Sequence, residues 1–286
     1  HWLTDYPAAR PTGPLGTIMG IITLTTDFGD KDGYAGVMKG VVLGICPQAV
    51  IIDITHRIDP QDVVQAGFII RSSYRYFPKD TVHVVVVDPG VGTGRAVVAF
   101  ESAGHYFIGP DNGVLSLVRD DAKIRWLVAV DNPDLFLHPI SDTFHGRDIF
   151  APVAAHLLNG VSPDRLGSPM NPDDMVNLDY QAPETNENGD LVGTIINVDR
   201  FGNLITDIDG KRIEMLRRRY PGRTLTIMVG NQRIKGLATI YQDRLVGNFV
   251  TYIGSRDFLE IAVNQGNAAS RLGIGKGESI KVSITD

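Results

Sequence analysis

Residues 82–95 of the chain read VHVVVVDPGVGTGR, and this stretch decides the fold. A run of β-branched residues with no polar face is typical of a central strand that is buried on both sides of a sheet. The run stops at Asp88-Pro89-Gly90, which places the Asp88 carboxylate at the carboxyl end of the strand. In open α/β sheets, ligands bind in the crevice beyond those ends. The stretch therefore predicts a functional site at Asp88, although the same residue could serve only to cap the following turn.

Strands and helices alternate ahead of this stretch. A strand at 20–26 precedes an amphipathic helix at about 34–45, and a strand at 49–55 precedes a helix that opens at Asp59-Pro60. Such alternation predicts an α/β domain with a largely parallel, Rossmann-like sheet and flanking helices. The domain continues with a hairpin of strands at 96–101 and 105–108, a strand at 124–130 and a helix at 149–158.

The character of the sequence changes along the chain and indicates two domains. Residues 1–18 contain Pro7, Pro11 and Pro14 and are expected to be an added extension, because Met19 directly precedes the first strand. The α/β domain is predicted at 19–168, a linker rich in Pro, Asn and Asp at 169–190, and a smaller domain at 191–286. The last range predicts an antiparallel β-barrel, because its short apolar runs are separated by turn residues. The predicted strands are 191–198, 204–208, 224–229, 249–253, 258–263 and 279–284, with a short helix at 267–272.

Composition and charge narrow the class of protein. A hydrophobic content of 43% and a charged content of 21% are ordinary for a soluble globular protein. The formal net charge of -6 argues against nucleic-acid binding, because cations must replace the counterions of the phosphates. No apolar run approaches transmembrane length, so no membrane association is expected. The single cysteine, Cys46, excludes an intrachain disulfide and favours a reducing compartment, which predicts a cytoplasmic protein.

Several familiar catalytic patterns are incomplete. The glycines of 90–94 match neither the dinucleotide-binding fingerprint nor the P-loop. The G-x-S-x-G pattern is absent and Cys46 lies among apolar helix residues, so covalent acyl transfer has no candidate nucleophile. A metal site remains an open alternative without the usual ligand spacing. Its candidate ligands along one rim of the sheet are Asp27, His56, Asp59, Asp88 and His145.

Six motifs occur in order along the chain and carry a resemblance. They are TTDFG at 25–29, DITH at 53–56, DPGVGT at 88–93, TFHGRD at 143–148, FGN at 201–203 and IAVN at 261–264. Together they resemble the S-adenosyl-L-methionine hydroxide adenosyltransferase family, the hydrolytic relatives of the fluorinating and chlorinating adenosyl enzymes. The resemblance extends from about Gly20 to the C-terminus, so it covers both predicted domains.

The resemblance implies a reaction in which water or hydroxide displaces L-methionine from C5′ of S-adenosyl-L-methionine and forms adenosine. It implies that Asp88, Arg95 and His145 are the catalytic residues. Halogenating relatives carry tyrosine in place of Asp88 and a tyrosine-serine pair in place of His145-Gly146, which favours water over halide here. A sulfonium is already an activated leaving group, so the enzyme must chiefly orient the water, an effect worth roughly 7–11 kcal/mol. The sequence leaves open which of the three residues takes the proton.

The resemblance also implies how the substrate is bound. Asp27 matches the aspartate that accepts hydrogen bonds from the ribose hydroxyls, a role that suits a carboxylate facing a diol. The further expected substrate contacts are Thr143; Asp32, Gly33 and Tyr34 beside Asp27; Asp199, Ser255 and Arg256 at the methionine; and Phe201, Asn203, Tyr241, Glu260, Val263, Asn264 and Gln265 around adenine. No cofactor or metal is expected, and similar proteins form homotrimers with the active site between subunits. A non-catalytic sensor of adenosine or S-adenosyl-L-methionine, and a metal-dependent hydrolase, remain alternatives.

Overall fold

The structure is a computed structural model and describes residues 20–285. Residues 1–18, for which the sequence predicts an added extension, lie outside the described residues. The chain divides into two compact units between Asp179 and Tyr180, a point within the stretch 169–190. Each unit is described by itself below.

The first unit is built on a seven-stranded mixed sheet with the strand order β2-β1-β3-β5-β4-β6-β7. Strands β2, β1, β3 and β5 run parallel, whereas β4 is antiparallel to both of its neighbours and β7 is antiparallel to β6. The largely parallel sheet predicted from the sequence is therefore confirmed. Its elements are β1 Ile21–Thr26, α1 Tyr34–Ile45, β2 Val50–Thr55, α2 Val63–Ser73, β3 Val82–Val86, β4 Val97–Ser102, β5 His105–Pro110, α3 Ser116–Arg119, β6 Ile124–Val130, α4 Ala151–Leu158 and β7 Gly167–Pro169.

Strand β3 lies at the centre of a three-layer arrangement. Its Val84 and Val86 side chains join the core that includes α1 and α4, whereas Val85, and Val87 directly after the strand, join the core that includes α2. Successive side chains of a strand point to opposite faces, so a run of valines supplies both cores at once. The absence of a polar face in the sequence of this strand is thus explained by helices on both sides of the sheet.

The second unit is an eight-stranded antiparallel sheet that curls into a nearly closed barrel. The strand order is β12-β11-β15-β9-β10-β14-β13, with β8 paired to β9. The two end strands approach each other, because the backbone N–H of Ala238 donates to the carbonyl of Thr251 at 2.7 Å. The predicted barrel is confirmed. Its elements are β8 Glu184–Thr185, β9 Leu191–Val198, β10 Leu204–Asp209, α5 Gly210–Arg219, β11 Thr224–Val229, β12 Gln232–Lys235, β13 Phe249–Ile253, β14 Phe258–Val263, α6 Ala268–Leu272 and β15 Ser279–Thr285.

Two local predictions differ from the structure. Helix α2 does not open at Asp59-Pro60 but at Val63, because Gln61 has a positive φ of 66° that a right-handed helix cannot contain. Asp62 caps the helix instead, with its carboxylate accepting from the Gln65 N–H at 2.9 Å. Helices α3 and α5 and strands β7, β8 and β12 were not predicted from the sequence at all. Across residues 20–285, no helix is long and apolar enough to cross a membrane.

Candidate active site

The carboxyl ends of β1 and β3 form the edge on which the predicted site residues of the first unit lie. Thr26 is paired with Val86 in the parallel register of these neighbouring strands. Asp27 follows the first strand directly, and Asp88 follows the second by two residues. Because the segments that follow β1 and β3 leave the sheet side by side, the carboxylates of Asp27 and Asp88 lie at the same edge. This is the edge at which α/β sheets bind ligands.

Asp88, Arg95 and His145 form one hydrogen-bonded cluster at this edge. The guanidinium of Arg95 is paired with both carboxylate oxygens, with Nε donating to Oδ1 at 2.7 Å and Nη2 donating to Oδ2. The same Nη2 donates to Nδ1 of His145 at 3.0 Å. Only 5% of the Asp88 side chain and 10% of the Arg95 side chain are exposed, so the ion pair is shielded from water. The structure therefore brings together the three residues expected to be catalytic.

Gly92 explains how two distant loops meet in this cluster. It has a φ of +77°, and a Cβ at this position would overlap the backbone carbonyl of Asp142. Only glycine combines this backbone conformation with so close an approach. The loop that carries Arg95 is therefore packed directly on the loop that carries His145.

Asp148 fixes the second of these loops. Its carboxylate is fully buried and accepts from Arg147 Nε at 2.6 Å, from Arg147 Nη2 at 2.9 Å and from the Ser141 N–H at 2.8 Å. Burial raises the pKa of Asp148, but these hydrogen bonds and the Arg147 charge outweigh it and leave the pKa below the ordinary value. Asp148 is thus an ionised anchor that closes the loop between Ser141 and Arg147.

His145 precedes a π-helical turn at Gly146–Phe150 that runs into α4. Such turns occur frequently at functional sites, where they redirect side chains. Gly146 within it is tightly enclosed, because a Cβ there would lie 3.1 Å from Met38 Sδ and 3.2 Å from the Phe144 ring. A larger residue at this position would have to displace those side chains.

The protonation state of His145 follows from its surroundings. Burial lowers the pKa of His145, and the positive charge of Arg95 lowers it further. The imidazole is therefore neutral at pH 7. A guanidinium can only donate hydrogen bonds, so Nδ1 must accept from Arg95 and the single ring proton belongs on Nε2.

Asp27 is held at the edge by a strained loop. Its Oδ2 accepts from the backbone N–H of Gln61 at 2.8 Å, and Gln61 is the residue with the positive φ of 66°. Strained backbone of this kind persists where surrounding contacts impose it, often at binding sites. The hydrogen bond leaves Oδ1 of Asp27 for other donors.

An aromatic cluster of Phe28, Tyr34 and Phe144 lies beside these residues. The ring centroids are 5.6 Å apart for Phe28–Tyr34, 5.8 Å for Phe28–Phe144 and 5.1 Å for Tyr34–Phe144. The cluster links the loop after β1 to the loop that carries His145. Among the other predicted substrate contacts of this unit, Asp32, Gly33 and Thr143 are exposed.

A relay of polar side-chain contacts behind Asp27 was not predicted from the sequence. The buried His56 has Nδ1 2.8 Å from Thr26 Oγ1 and Nε2 3.0 Å from Asp53 Oδ1, and Lys39 Nζ donates to Asp53 Oδ2 at 2.5 Å. The Thr26 hydroxyl in turn accepts from the Phe28 N–H at 3.3 Å. The relay therefore fixes the turn that carries Asp27. The DITH motif contains two of its members, Asp53 and His56, but sequence spacing could not show that His56 contacts Thr26.

The candidate metal ligands do not form a metal centre. His56 belongs to the relay, and exposed Asp59 contacts the Gln65 side chain at the start of α2. Within residues 20–285, no group of three His, Cys, Asp or Glu side chains is arranged to hold a metal ion.

A second cluster of predicted site residues lies in the second unit. Asn203 Nδ2 donates to Asp199 Oδ2 at 2.9 Å and to the Tyr241 hydroxyl at 3.3 Å. The Tyr241 hydroxyl in turn lies 2.5 Å from the Tyr252 hydroxyl. Tyr252 donates to Glu260 Oε2 at 2.8 Å. Burial raises the pKa of Glu260, and the Tyr252 hydrogen bond opposes this effect. One continuous chain of hydrogen bonds thus joins four residues that were predicted from motifs far apart in the sequence.

Tyr252 is the member of this chain that sequence reasoning missed. It is paired with Glu260 in the antiparallel register of β13 and β14, where directly opposed side chains are in contact. The signal was present in the two strand sequences, but the register between them was not predicted.

The remaining predicted adenine and methionine contacts lie outside the hydrogen-bond chain. Val263 and Asn264 are buried at the end of β14, whereas Gln265, Ser255 and Arg256 are exposed. Asn264 Nδ2 donates to the backbone carbonyl of Arg244 at 2.7 Å. Phe201 is 75% exposed, which leaves most of a large aromatic side chain available for a further contact.

Fold and site together define the class of protein. An α/β unit gathers a carboxylate, a guanidinium and an imidazole at the carboxyl edge of its sheet, and an antiparallel barrel carries a second set of polar and aromatic side chains. A cluster of this kind at the ligand-binding edge of an α/β sheet is typical of an enzyme that acts on a small molecule.

Comparison with known proteins gives the family. Residues 22–167 match the SAM hydroxide adenosyltransferase N-terminal domain, and residues 193–281 match the SAM hydroxide adenosyltransferase C-terminal domain. The chain therefore belongs to the SAM hydroxide adenosyltransferase family, where SAM is S-adenosyl-L-methionine.

Individual relatives agree with this membership. The chain is 36% identical over 279 residues to a protein of Methanocaldococcus jannaschii named (R)-S-adenosyl-L-methionine hydrolase, with 93% of this chain and 96% of that protein covered. A protein of the same name from Salinispora arenicola is 33% identical, with 92% and 97% covered. A crystal structure of an uncharacterized conserved protein from Thermotoga maritima has a TM-score of 0.83 and 37% identity, with 91% of this chain and 99% of that chain covered.

Proposed function

We propose that this protein is an S-adenosyl-L-methionine hydrolase that forms adenosine and L-methionine. The observation that carries the proposal is the shielded Asp88–Arg95–His145 cluster at the ligand-binding edge of the sheet. The name shared by relatives of 33–36% identity over most of the chain supports the same substrate.

In the proposed mechanism, one water molecule attacks C5′ of the sulfonium substrate in line with the C5′–S bond. The new C5′–O bond forms as the C5′–S bond breaks, and the electron pair of that bond leaves with the methionine sulfur. The water gives up one proton, so adenosine, methionine and a proton result. No acid is needed for the leaving group, because methionine departs as a neutral thioether.

The hydrogen-bond directions in the cluster assign the proton to Asp88. Nδ1 of His145 already accepts from Arg95, so the imidazole has no lone pair for the water proton and its Nε2–H can only donate. His145 would therefore hold the water oxygen as a hydrogen-bond donor. Each Asp88 oxygen keeps a further lone pair beside its bond from Arg95, so the carboxylate can accept the proton. Arg95 would orient the other two and balance the charge.

The charge of Asp88 also favours water over a halide ion. A carboxylate disfavours an anionic nucleophile beside it, whereas a neutral water molecule gains a proton acceptor. We therefore expect adenosine as the product in the presence of chloride or fluoride, without a 5′-halo nucleoside.

We propose the substrate contacts by the same reasoning. Asp27 has a free carboxylate oxygen at the sheet edge for the ribose hydroxyls, and the Phe28–Tyr34–Phe144 cluster lies close by. In the second unit, Asn203 and Tyr241 would face adenine, and Arg256 would bind the methionine carboxylate.

The decisive experiment is the reaction in isotopically heavy water. The protein is incubated with S-adenosyl-L-methionine in H₂¹⁸O, and the nucleoside is analysed by mass spectrometry. Adenosine that carries the label at the 5′ oxygen would establish both the reaction and the nucleophile. Tight binding of the substrate without turnover would instead support a sensor and refute the proposed hydrolase.

We propose that no metal or cofactor takes part. Adenosine formation should be unchanged after treatment with EDTA and removal of the chelator. Loss of activity that a divalent ion restores would refute this part of the proposal and favour a metal-dependent hydrolase.

We further propose a cytoplasmic homotrimer whose active sites are completed between subunits. The buried single thiol of Cys46 supports a reducing compartment, and the exposed Phe201 supports a surface that another molecule covers. Sedimentation equilibrium of the full chain should give three times the mass of one chain, and fractionation of the source cells should recover the protein with cytoplasmic markers. No nucleic-acid or membrane partner is expected.

A further inference from the structure

The barrel of the second unit has a pocket of about 550 Å³ whose charged lining is basic. Its cations are Arg233, Lys235, Arg244 and Arg271, with Asn248 and Phe249 between them. Among the residues that the structure describes, no carboxylate lines the pocket. The protein as a whole carries a formal net charge of -6, so this concentration of positive charge opposes the average of the chain.

Two of the cations point out of one strand face without a partner. Arg233 and Lys235 are two residues apart on β12, so their side chains share a face, whereas Ile234 between them is buried in the barrel core. Both side chains are exposed, and neither is paired with a side chain or carbonyl in the part of the chain that the structure describes. They are therefore available to an anion.

The other two guanidiniums are fixed in place. Arg244 Nη2 donates to the Lys235 carbonyl at 2.8 Å, and Arg271 Nη1 donates to the Gly247 carbonyl. The Arg271 guanidinium also lies over the Phe249 ring, 4.9 Å from its centroid. Arg244 Nη1 also donates to the Asp243 carbonyl at 3.3 Å. Backbone carbonyls thus hold these arginines without neutralising them, so an anion that binds here pays little further cost in side-chain entropy.

The acidic residue next to Arg244 in the chain is held by backbone N–H groups, although its charge is near enough to Arg244 for the two to attract each other. The Asp243 carboxylate accepts from the backbone N–H groups of Thr239 and Ile240 at 2.7 and 3.1 Å and is not part of the pocket lining. Four like charges around one cavity repel each other until an anion enters. Planar guanidiniums and a lysine suit phosphate oxygens in particular.

We propose that this pocket binds a small phosphate-bearing anion that carries two or more negative charges. The volume of about 550 Å³ accommodates inorganic diphosphate and is also large enough for a nucleoside diphosphate. Both sources share the same chemistry, so the experiment must separate them.

The test is isothermal titration of the full chain with inorganic pyrophosphate and with cytidine diphosphate, at constant ionic strength. A pyrimidine nucleotide is chosen so that an adenine site does not contribute. The pocket variant is Arg233→Gln with Lys235→Gln, both exposed residues whose loss leaves the core unchanged. The matched control is Lys211→Gln with Arg217→Gln, which removes the same charge from exposed positions of α5.

Saturable binding of one anion per chain is expected for the wild type and the control, with at least tenfold weaker binding by the pocket variant. Equal affinity for both probes identifies the phosphates as the recognised group, and tighter binding of cytidine diphosphate identifies a nucleotide. Adenosine formation by the pocket variant should be unchanged, which shows that it is folded. The proposal is overturned if neither probe binds saturably, or if the pocket variant and the control weaken binding equally.

Discussion

Replacing Asp88 by asparagine tests the proposed mechanism most directly. The change keeps the size of the side chain but removes its charge and one hydrogen-bond acceptor. The oxygen of the new amide could still accept one N–H from Arg95, but its NH₂ group would meet a second guanidinium donor. The amide could not accept a proton from water.

The structure sets the size of two separate effects. The Asp88 and Arg95 side chains are 5% and 10% exposed, so the substitution leaves a shielded guanidinium without its partner. Breaking such a pair by removing one member costs about 3–5 kcal/mol in the free energy of unfolding. Loss of the proton acceptor should lower kcat by about 10²–10⁴, which is roughly 2.7–5.4 kcal/mol in the barrier. The KM should change little, because Asp88 is not proposed to bind the substrate.

The assay is adenosine release at saturating S-adenosyl-L-methionine, together with chemical denaturation of each variant. Exposed Asp142→Asn is the matched control, since it removes a carboxylate from the adjacent loop and should leave kcat unchanged. His145→Gln should retain more activity than Asp88→Asn, because a glutamine amide can accept from Arg95 and donate to water. A fall in kcat of less than tenfold for Asp88→Asn, or a larger fall for His145→Gln, would refute the assignment of the proton to Asp88.

Three further changes probe how the structure supports the site and the fold. Gly92→Ala should lower kcat and cost about 1–2 kcal/mol of stability, because φ is +77° and the Cβ meets the neighbouring loop; Gly94→Ala, with open space around it, should do neither in the same assays. His56→Leu should raise the KM several-fold more than it lowers kcat in steady-state kinetics, because the turn that carries the ribose-binding carboxylate loses its support. Burial lowers the pKa of His83 to about 3 and of His105 to about 4, so below pH 6.5 the unfolded chain takes up protons that the folded chain does not. As the pH falls from about 6 to 4, urea denaturation should show the free energy of unfolding falling by roughly 3 kcal/mol per pH unit from these two residues together, and His105→Phe should remove about half of that dependence.

The fold could be predicted where a sequence pattern had a single structural explanation. The valines of β3 have no polar face because cores lie on both sides, and the alternation of strands and helices before them left few other topologies. Helix α5 was missed because only Ile213 and Leu216 of its ten residues are buried, so its apolar period is weak. Its start signal was nevertheless present, since Asp209 caps the helix by accepting from the Arg212 N–H at 2.8 Å.

The site could be predicted only as far as residue types and resemblance allow. Asp88, Arg95 and His145 are separated by up to 57 residues in the numbering, and no local pattern states that their loops meet. The glycine that permits the meeting, Gly92, reads in the sequence as one of several turn residues. The close approach to Asp142 that Gly92 makes possible depends on the tertiary structure, which the local sequence does not show. Tyr252 was missed for a similar reason, because its role depends on the register of two strands.

In both clusters the structure also fixes which group donates and which group accepts each hydrogen bond, and residue types alone do not give this direction. In the first unit, Arg95 can only donate, so it turns the His145 ring into a donor toward the site and leaves Asp88 as the acceptor. In the second unit, the Glu260 carboxylate sets the direction of the hydrogen bonds. Tyr252 donates to Glu260, so the Tyr252 oxygen must accept from the Tyr241 hydroxyl. A carboxylate therefore terminates each network, but only Asp88 lies at the ligand-binding edge of the α/β sheet, where we propose that water attacks C5′ of the substrate. That difference in position is why hydrolysis is assigned to the first cluster and recognition to the second.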